Sequence, residues 1–122
     1  MVIDDEVLLG QTLQLGLEET FDVELELSGR RGLERLLSGE KFDLVLCDLS
    51  LPDLHGSAIH RAVAAERPGL LSRFVVMTGG AVTVEARGFV DSYRGPLLDK
   101  PFTLTDVERL AQSLLGPSSR PA

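Results

Sequence analysis

Five positions in this 122-residue chain could do chemistry together. Asp4 and Asp5 form an acidic pair, Asp48 is a third acid, Thr78 offers a hydroxyl and Lys100, beside Asp99, a cation. Each stands just after a short apolar run. If those runs are neighbouring strands, three carboxylates, a hydroxyl and an ammonium converge on one rim. Acids packed so closely repel and raise one another's pKa unless something positive intervenes. A hard divalent cation does this well. Mg2+ takes oxygen ligands, keeps several waters, and uses one or two carboxylates plus substrate phosphate. A carboxylate beside Mg2+ and an ammonium is set up to attack phosphorus and form an aspartyl phosphate, while the cations stabilise the spread charge of the transition state. Taken singly, each piece has a plainer reading. An Asp-Asp pair after a strand is a helix N-cap with its neighbour, Lys100-Pro101 a loop, and Thr78-Gly79 a turn. The argument for a site rests on their common placement at the ends of successive strands.

The elements that must position them alternate along the chain. Strand-like runs lie at Met1–Asp4, Asp22–Leu27, Phe42–Cys47, Arg73–Met77 and Pro96–Leu98. MVI, LVLC and FVVM are continuously apolar, which suits central parallel strands covered on both faces. DVELEL alternates, placing Val23, Leu25 and Leu27 on one face and acids on the other, as in an edge strand. Between them lie helical stripes: Leu9, Leu13 and Leu17; Leu33, Leu36 and Leu37; Ile59, Ala62 and Val63. The last is the clearest, with Leu104, Val107, Leu110, Ala111, Leu114 and Leu115 at helical spacing. Thr105-x-x-Glu108 reads as its capping box and Gly116-Pro117 as its stop. The helix over 81–93 is weakened by Gly88. Five βα units imply a parallel sheet with right-handed crossovers and helices on both faces. The first strand is short against the usual five or six residues, which predicts chain before Met1 or a truncated strand.

Composition narrows the classes. Twelve Lys and Arg against nineteen Asp and Glu give a formal charge of −7, which argues against direct nucleic-acid binding or contact with an anionic membrane face. No apolar run approaches the ~20 residues of a spanning helix, and the N-terminus has no basic n-region. A cytoplasmic setting is expected. The single cysteine, Cys47, allows no internal disulfide and reads as core packing. His55 and His60 have no metal-ligand partners at zinc spacing and read as surface residues.

The chain resembles a two-component response-regulator receiver domain over nearly its whole length. The resemblance is carried by VIDDE (Val2–Glu6), DLVLCDLSLPDLHG (Asp43–Gly56), VVMTGG (Val75–Gly80) and LLDKPF (Leu97–Phe102). Their spacings also fit: 43 positions from Asp5 to Asp48, 30 to Thr78 and 22 more to Lys100. It implies the flavodoxin-like doubly wound (βα)5 sandwich, with sheet order 2-1-3-4-5, over residues 1–116, and a C-terminal tail over 117–122. By that resemblance Asp48 is the phosphoacceptor. Asp5 holds Mg2+ directly, Asp4 directly or through water, and Asp48 and the Ser50 carbonyl complete the protein ligands. Thr78 and Lys100 bind phosphoryl oxygens. Pro52 and Gly56 shape the loop after the third strand, and Lys100-Pro101 is a cis peptide. The phosphodonor is a histidine kinase or histidine phosphotransfer protein.

The departures are informative. Leu51 stands where the family often has Met. Leu97 stands where many receivers carry the Tyr or Phe that follows the switch Thr, here Thr78, and Tyr93 is four residues too early to replace it. GFVDSYRGPLLDKPF (Gly88–Phe102) resembles the receivers fused to hybrid sensor histidine kinases, which predicts parent-kinase domains as partners. Two alternatives stand beside the receiver. A pseudo-receiver never uses phosphate. An aspartate-nucleophile phosphohydrolase commonly wants a second Asp where this chain has Ser50.

Overall fold

The computed structural model describes residues 1–79 and 83–116. In chain order the elements are β1 (Val2–Ile3), α1 (Val7–Leu17), β2 (Leu25–Glu26), α2 (Gly29–Leu37), β3 (Val45–Asp48), α3 (Gly56–Glu66), a 3-10 turn (Pro68–Arg73), β4 (Phe74–Thr78), α4 (Val84–Ser92), β5 (Leu97–Asp99) and α5 (Leu104–Leu115). All strand pairs are parallel and the sheet order is β2-β1-β3-β4-β5. The chain therefore folds as the doubly wound sandwich expected.

Strand periodicity sorts the core into two layers. Ile3, Val45, Cys47, Phe74 and Val76 face one way, against Leu36 of α2, Ile59 and Val63 of α3, and Ala86 of α4. Val2, Leu46, Val75, Met77 and Leu98 face the other way, against Leu13 and Leu17 of α1 and Val107 of α5. Every residue of β3 and β4 is buried, which is why those runs are apolar without alternation. At ~25 cal/mol per Å2 of apolar surface, each such side chain contributes about 1.5–3 kcal/mol relative to exposure.

Three details differ from the sequence expectations. β3 and β4 run one residue further, so Asp48 and Thr78 are the last residues of their strands rather than the first of the loops. β2 is only Leu25–Glu26, and Leu27 is 49% exposed. The alternation holds for Val23 and Leu25, which pack on the core, while Glu24 and Glu26 pair with Arg35 of α2, which also pairs with Glu40; Leu27 lies beyond the strand. The capping box of α5 is Thr103 with Asp106, not Thr105 with Glu108. The earlier start brings Leu104 into the helix and against α1, where a Cβ on Gly16 would lie 2.4 Å from Leu104 Cδ1. α4 forms over Val84–Ser92 despite Gly88, capped by Thr83 Oγ1, which accepts from the Ala86 N–H. α5 ends at Gly116, whose φ of 77° suits glycine. The expected tail at 117–122 and the last residue of VVMTGG lie outside the described residues.

Candidate functional site

The C-terminal ends of β1, β3, β4 and β5 form one rim, the place where open parallel α/β sheets put their sites. Asp4 follows β1 and is 2% exposed, while Asp5 beside it faces solvent. Asp48 closes β3 and is 5% exposed. Carboxylate oxygens of Asp4, Asp5 and Asp48 lie within 4.8 Å of one another, the one such cluster among the described residues. Thr78 ends β4, one position beyond Met77, the partner of Asp48, and pairs with Asp99 of β5.

Lys100 enters this ring from β5. Its backbone N–H donates to the Thr78 carbonyl at 2.7 Å, and the Lys100–Pro101 peptide is cis. Its Nζ donates to Asp4 Oδ2 and to Glu6 Oε1, each at 2.8 Å, and stands 3.7 Å from Asp48 Oδ2. Asp4 does not take the helix-capping role considered for it: the N-cap of α1 is Glu6, with no side-chain cap, and Asp4 Oδ1 accepts from the Glu6 N–H itself at 2.9 Å. Asp48 Oδ1 accepts from the Ser50 N–H at 3.4 Å.

Electrostatics follow from this packing. Burial raises the Asp48 pKa and the Asp4 charge adds to it, against the opposing pull of Lys100 and the Ser50 N–H. Burial pulls Lys100 down, but its bonds to Asp4 and Glu6 and the Asp48 charge together leave it raised. The ammonium is thus held charged among acids. Cys47, one residue before Asp48, is fully buried, and burial with the Asp48 and Asp4 charges drives its thiol far above the ordinary range. It is a core residue, not a nucleophile.

The loop from Leu49 to His55 joins Asp48 to α3. Leu49 and Leu51 are buried, while Ser50 and Pro52 are exposed. Gly56 opens α3 against the strand end: a Cβ there would lie 2.5 Å from the Asp48 carbonyl oxygen and 2.7 Å from Leu49 Cα. Only glycine fits that approach. Leu97 pairs with Val76 in β5 and packs partly buried against the α2–α3–α4 layer.

Four residues have roles that escaped the sequence reading. Glu6 is a rim acid that shares Lys100, and the run Asp4-Asp5-Glu6 was its signal. His60 is not a surface residue. It is half-buried, edge-on to Phe74, Phe89 and Tyr93 at 5.4–5.6 Å, because α3 and α4 close over it. Tyr93 stacks on Phe89 and donates its hydroxyl to the Pro96 carbonyl at 2.9 Å. His55 caps α3, its Nδ1 accepting from the Ser57 N–H at 3.2 Å.

The model of the response regulator receiver domain family matches residues 1–112. The chain belongs to that family. As a receiver domain it is a signalling module of two-component systems. It is 32% identical over 111 residues to the response regulator ArlR of Staphylococcus saprophyticus, covering 90% of this chain but 47% of that protein. The chain thus spans about half the length of the curated relatives it matches. Among solved structures, the CheY-like receiver domain protein of Methanospirillum hungatei JF-1 is 26% identical with a TM-score of 0.76, covering 93% of this chain and 90% of that one. The receiver domain of the sensor histidine kinase PA1611 of Pseudomonas aeruginosa PAO1, solved with a magnesium ion in its active-site cleft, shares the fold at 21% identity and a TM-score of 0.77. It covers 94% of this chain and 95% of that one.

Proposed function

We propose that this receiver domain accepts a phosphoryl group on Asp48 from a phosphohistidine of a histidine kinase or a histidine phosphotransfer protein. The observation that carries the reading is the ring itself. Three carboxylates within 4.8 Å and an ammonium 3.7 Å from Asp48 stand at the carboxyl end of the sheet. A carboxylate oxygen of Asp48 attacks phosphorus, the N–P bond breaks, and the imidazole nitrogen of the donor keeps the electron pair. Lys100 then turns from Glu6 toward a phosphoryl oxygen, and the Thr78 hydroxyl donates to another. The oxygen-only donor set fits a hard cation. Asp4, Asp5, Asp48 and the Ser50 carbonyl would hold Mg2+, which when bound neutralises the clustered acids and the transferred group. The PA1611 receiver, solved with magnesium in its cleft, supports this assignment.

The domain acts as a substrate that takes and releases phosphate, not as an enzyme on other molecules. Ser50 is an exposed hydroxyl residue where a phosphohydrolase would need a second carboxylate. No helix among the described residues is long and apolar enough to cross a membrane, and we place the domain in the cytoplasm, away from nucleic acid. Two parent chains fit. Arg94-Gly95-Pro96-Leu97-Leu98 supports a hybrid kinase, and the ArlR relatives support a response regulator with a further domain. The test is incubation with a small phosphodonor and Mg2+, followed by intact-mass and peptide analysis. One phosphoryl group on Asp48, absent from Asp48→Asn and in excess chelator, is the expected result. Labelling of Asp48→Asn at the wild-type rate and stoichiometry would refute the reading.

A further inference from the structure

The loop that carries the Ser50 carbonyl is fixed from inside and from outside by different means. Inside, Leu49 and Leu51 are 0% and 4% exposed, and the Gly56 N–H donates to the Leu49 carbonyl at 2.9 Å. The outer lip, Ser50, Pro52 and Asp53, is exposed. Besides the bond from the Ser50 N–H to Asp48 Oδ1, the lip is tied to α2 through Asp53. Asp53 Oδ1 accepts from the Gly29 N–H at 2.9 Å, and Oδ2 accepts from the Arg30 N–H at 3.0 Å and from Ser28 Oγ at 2.8 Å. Ser28 Oγ in turn accepts from the Arg31 N–H, so the lip and the α2 cap form one network. The N–H groups of Arg30 and Gly29, with the Ser28 hydroxyl, hold the Asp53 carboxyl well below the usual carboxylate range.

A second observation is steric. A Cβ on Gly29 would lie 2.8 Å from the Leu54 carbonyl oxygen and 3.2 Å from both Asp53 Oδ1 and Leu51 Cδ1. Backbone cannot retreat cheaply from such a contact, so the start of α2 is shaped to receive the lip.

We propose that Asp53 is a positioning residue of the phosphoryl site, which docks the β3–α3 lip on α2 and thereby sets the Ser50 carbonyl for the metal. The inference rests on the receiver chemistry proposed above. Functional ligands must be held to within about 0.5 Å, and the three residues 50, 52 and 53 have little packing of their own to do this. The competing role is purely structural. In that case Asp53 caps α2, its loss lowers stability, and metal affinity stays as it was.

The two roles separate at matched stability. Mg2+ is titrated into wild type, Asp53→Ala, Gly29→Ala and Val107→Ala, followed by amide chemical shifts, with amide exchange of residues 49–54 measured in metal-free buffer. Val107→Ala destabilises the opposite layer of the core without touching the lip. Asp53→Ala and Gly29→Ala should each weaken Mg2+ binding about tenfold, the low end for loss of an orienting partner. Both should also speed exchange of the lip, while Val107→Ala should do neither. Asp53→Ala binding within twofold of wild type overturns the proposal. If that variant does not fold, Asp53→Asn, which keeps one acceptor oxygen, replaces it with the same criterion. A wild-type chain that binds no Mg2+ sinks the receiver chemistry itself, whereas wild-type binding with an unaffected variant sinks only the docking role.

Discussion

Replacing Asp48 by asparagine should stabilise the metal-free receiver domain at neutral pH while abolishing its phosphorylation. The magnitude follows from the ring of charges. At 4.8 Å, the widest separation within the cluster, and an effective dielectric near 20, two unit charges interact by about 3.5 kcal/mol. Asp48 feels two such repulsions, from Asp4 and Asp5. Its attraction to Lys100 at 3.7 Å is about 4.5 kcal/mol by the same rule. Asp5 is exposed and water screens its share, leaving a net relief of about 1–2 kcal/mol on neutralising Asp48. For a domain of this size that is a rise in Tm of about 4–8 °C. The sign has a pH signature. The folded-state pKa of Asp48 is raised above 3.8, so its favourable contribution is full below that value and lost as pH climbs through the folded pKa. The gap between variant and wild type should therefore be small near pH 3.8, open above it, and stay open at pH 7. Thermal unfolding by circular dichroism across this range, in chelator and low salt, measures it. Added Mg2+ should narrow the gap by stabilising the wild type preferentially. A variant no more stable than wild type at pH 7, or a gap independent of pH, would refute the reasoning.

Lys100→Ala should slow phosphorylation of Asp48 from a small phosphodonor by about a hundredfold, the scale for loss of one charge-stabilising donor, as followed by intact mass against time. Gly56→Ala forces a methyl group onto the Asp48 carbonyl and Leu49 Cα and should cost about 3 kcal/mol in urea unfolding; a cost below 1 kcal/mol would mean the loop yields freely. With Leu97 in place of an aromatic, beryllofluoride should shift amides near the rim but move Val84–Asp99 only slightly, because few contacts distinguish the two states. Large shifts across that face together with dimerisation would show that the leucine switches well.

The runs LVLC and FVVM made the sheet legible because strands buried on both faces leave no polar residue to confuse the period. The rim was legible because its acids and Lys100 follow such runs directly. What stayed hidden depends on contacts between elements. DVELEL alternates well and Val23 and Leu25 pack on the core, yet Leu27 is exposed because pairing with β1 ends at Glu26. Thr103 and Thr105 are both followed three positions later by an acid, and only the packing of Leu104 on Gly16 chooses between them. His60 carries no local sign that Phe74, Phe89 and Tyr93 will surround it. Asp53 carries no local sign that Ser28, Gly29 and Arg30 will meet it with three donors.

The bond from Lys100 to Asp4 spans 96 positions. The acids of β1 and β3 are synthesised first, and the cation that offsets them comes only with the last βα unit. A nascent chain that has not yet delivered residue 100 carries crowded acids without their ammonium, and its rim cannot be complete. Loop closure over such a separation is entropically late in folding. The completed ring therefore reports that the two ends of the domain have met across the sheet.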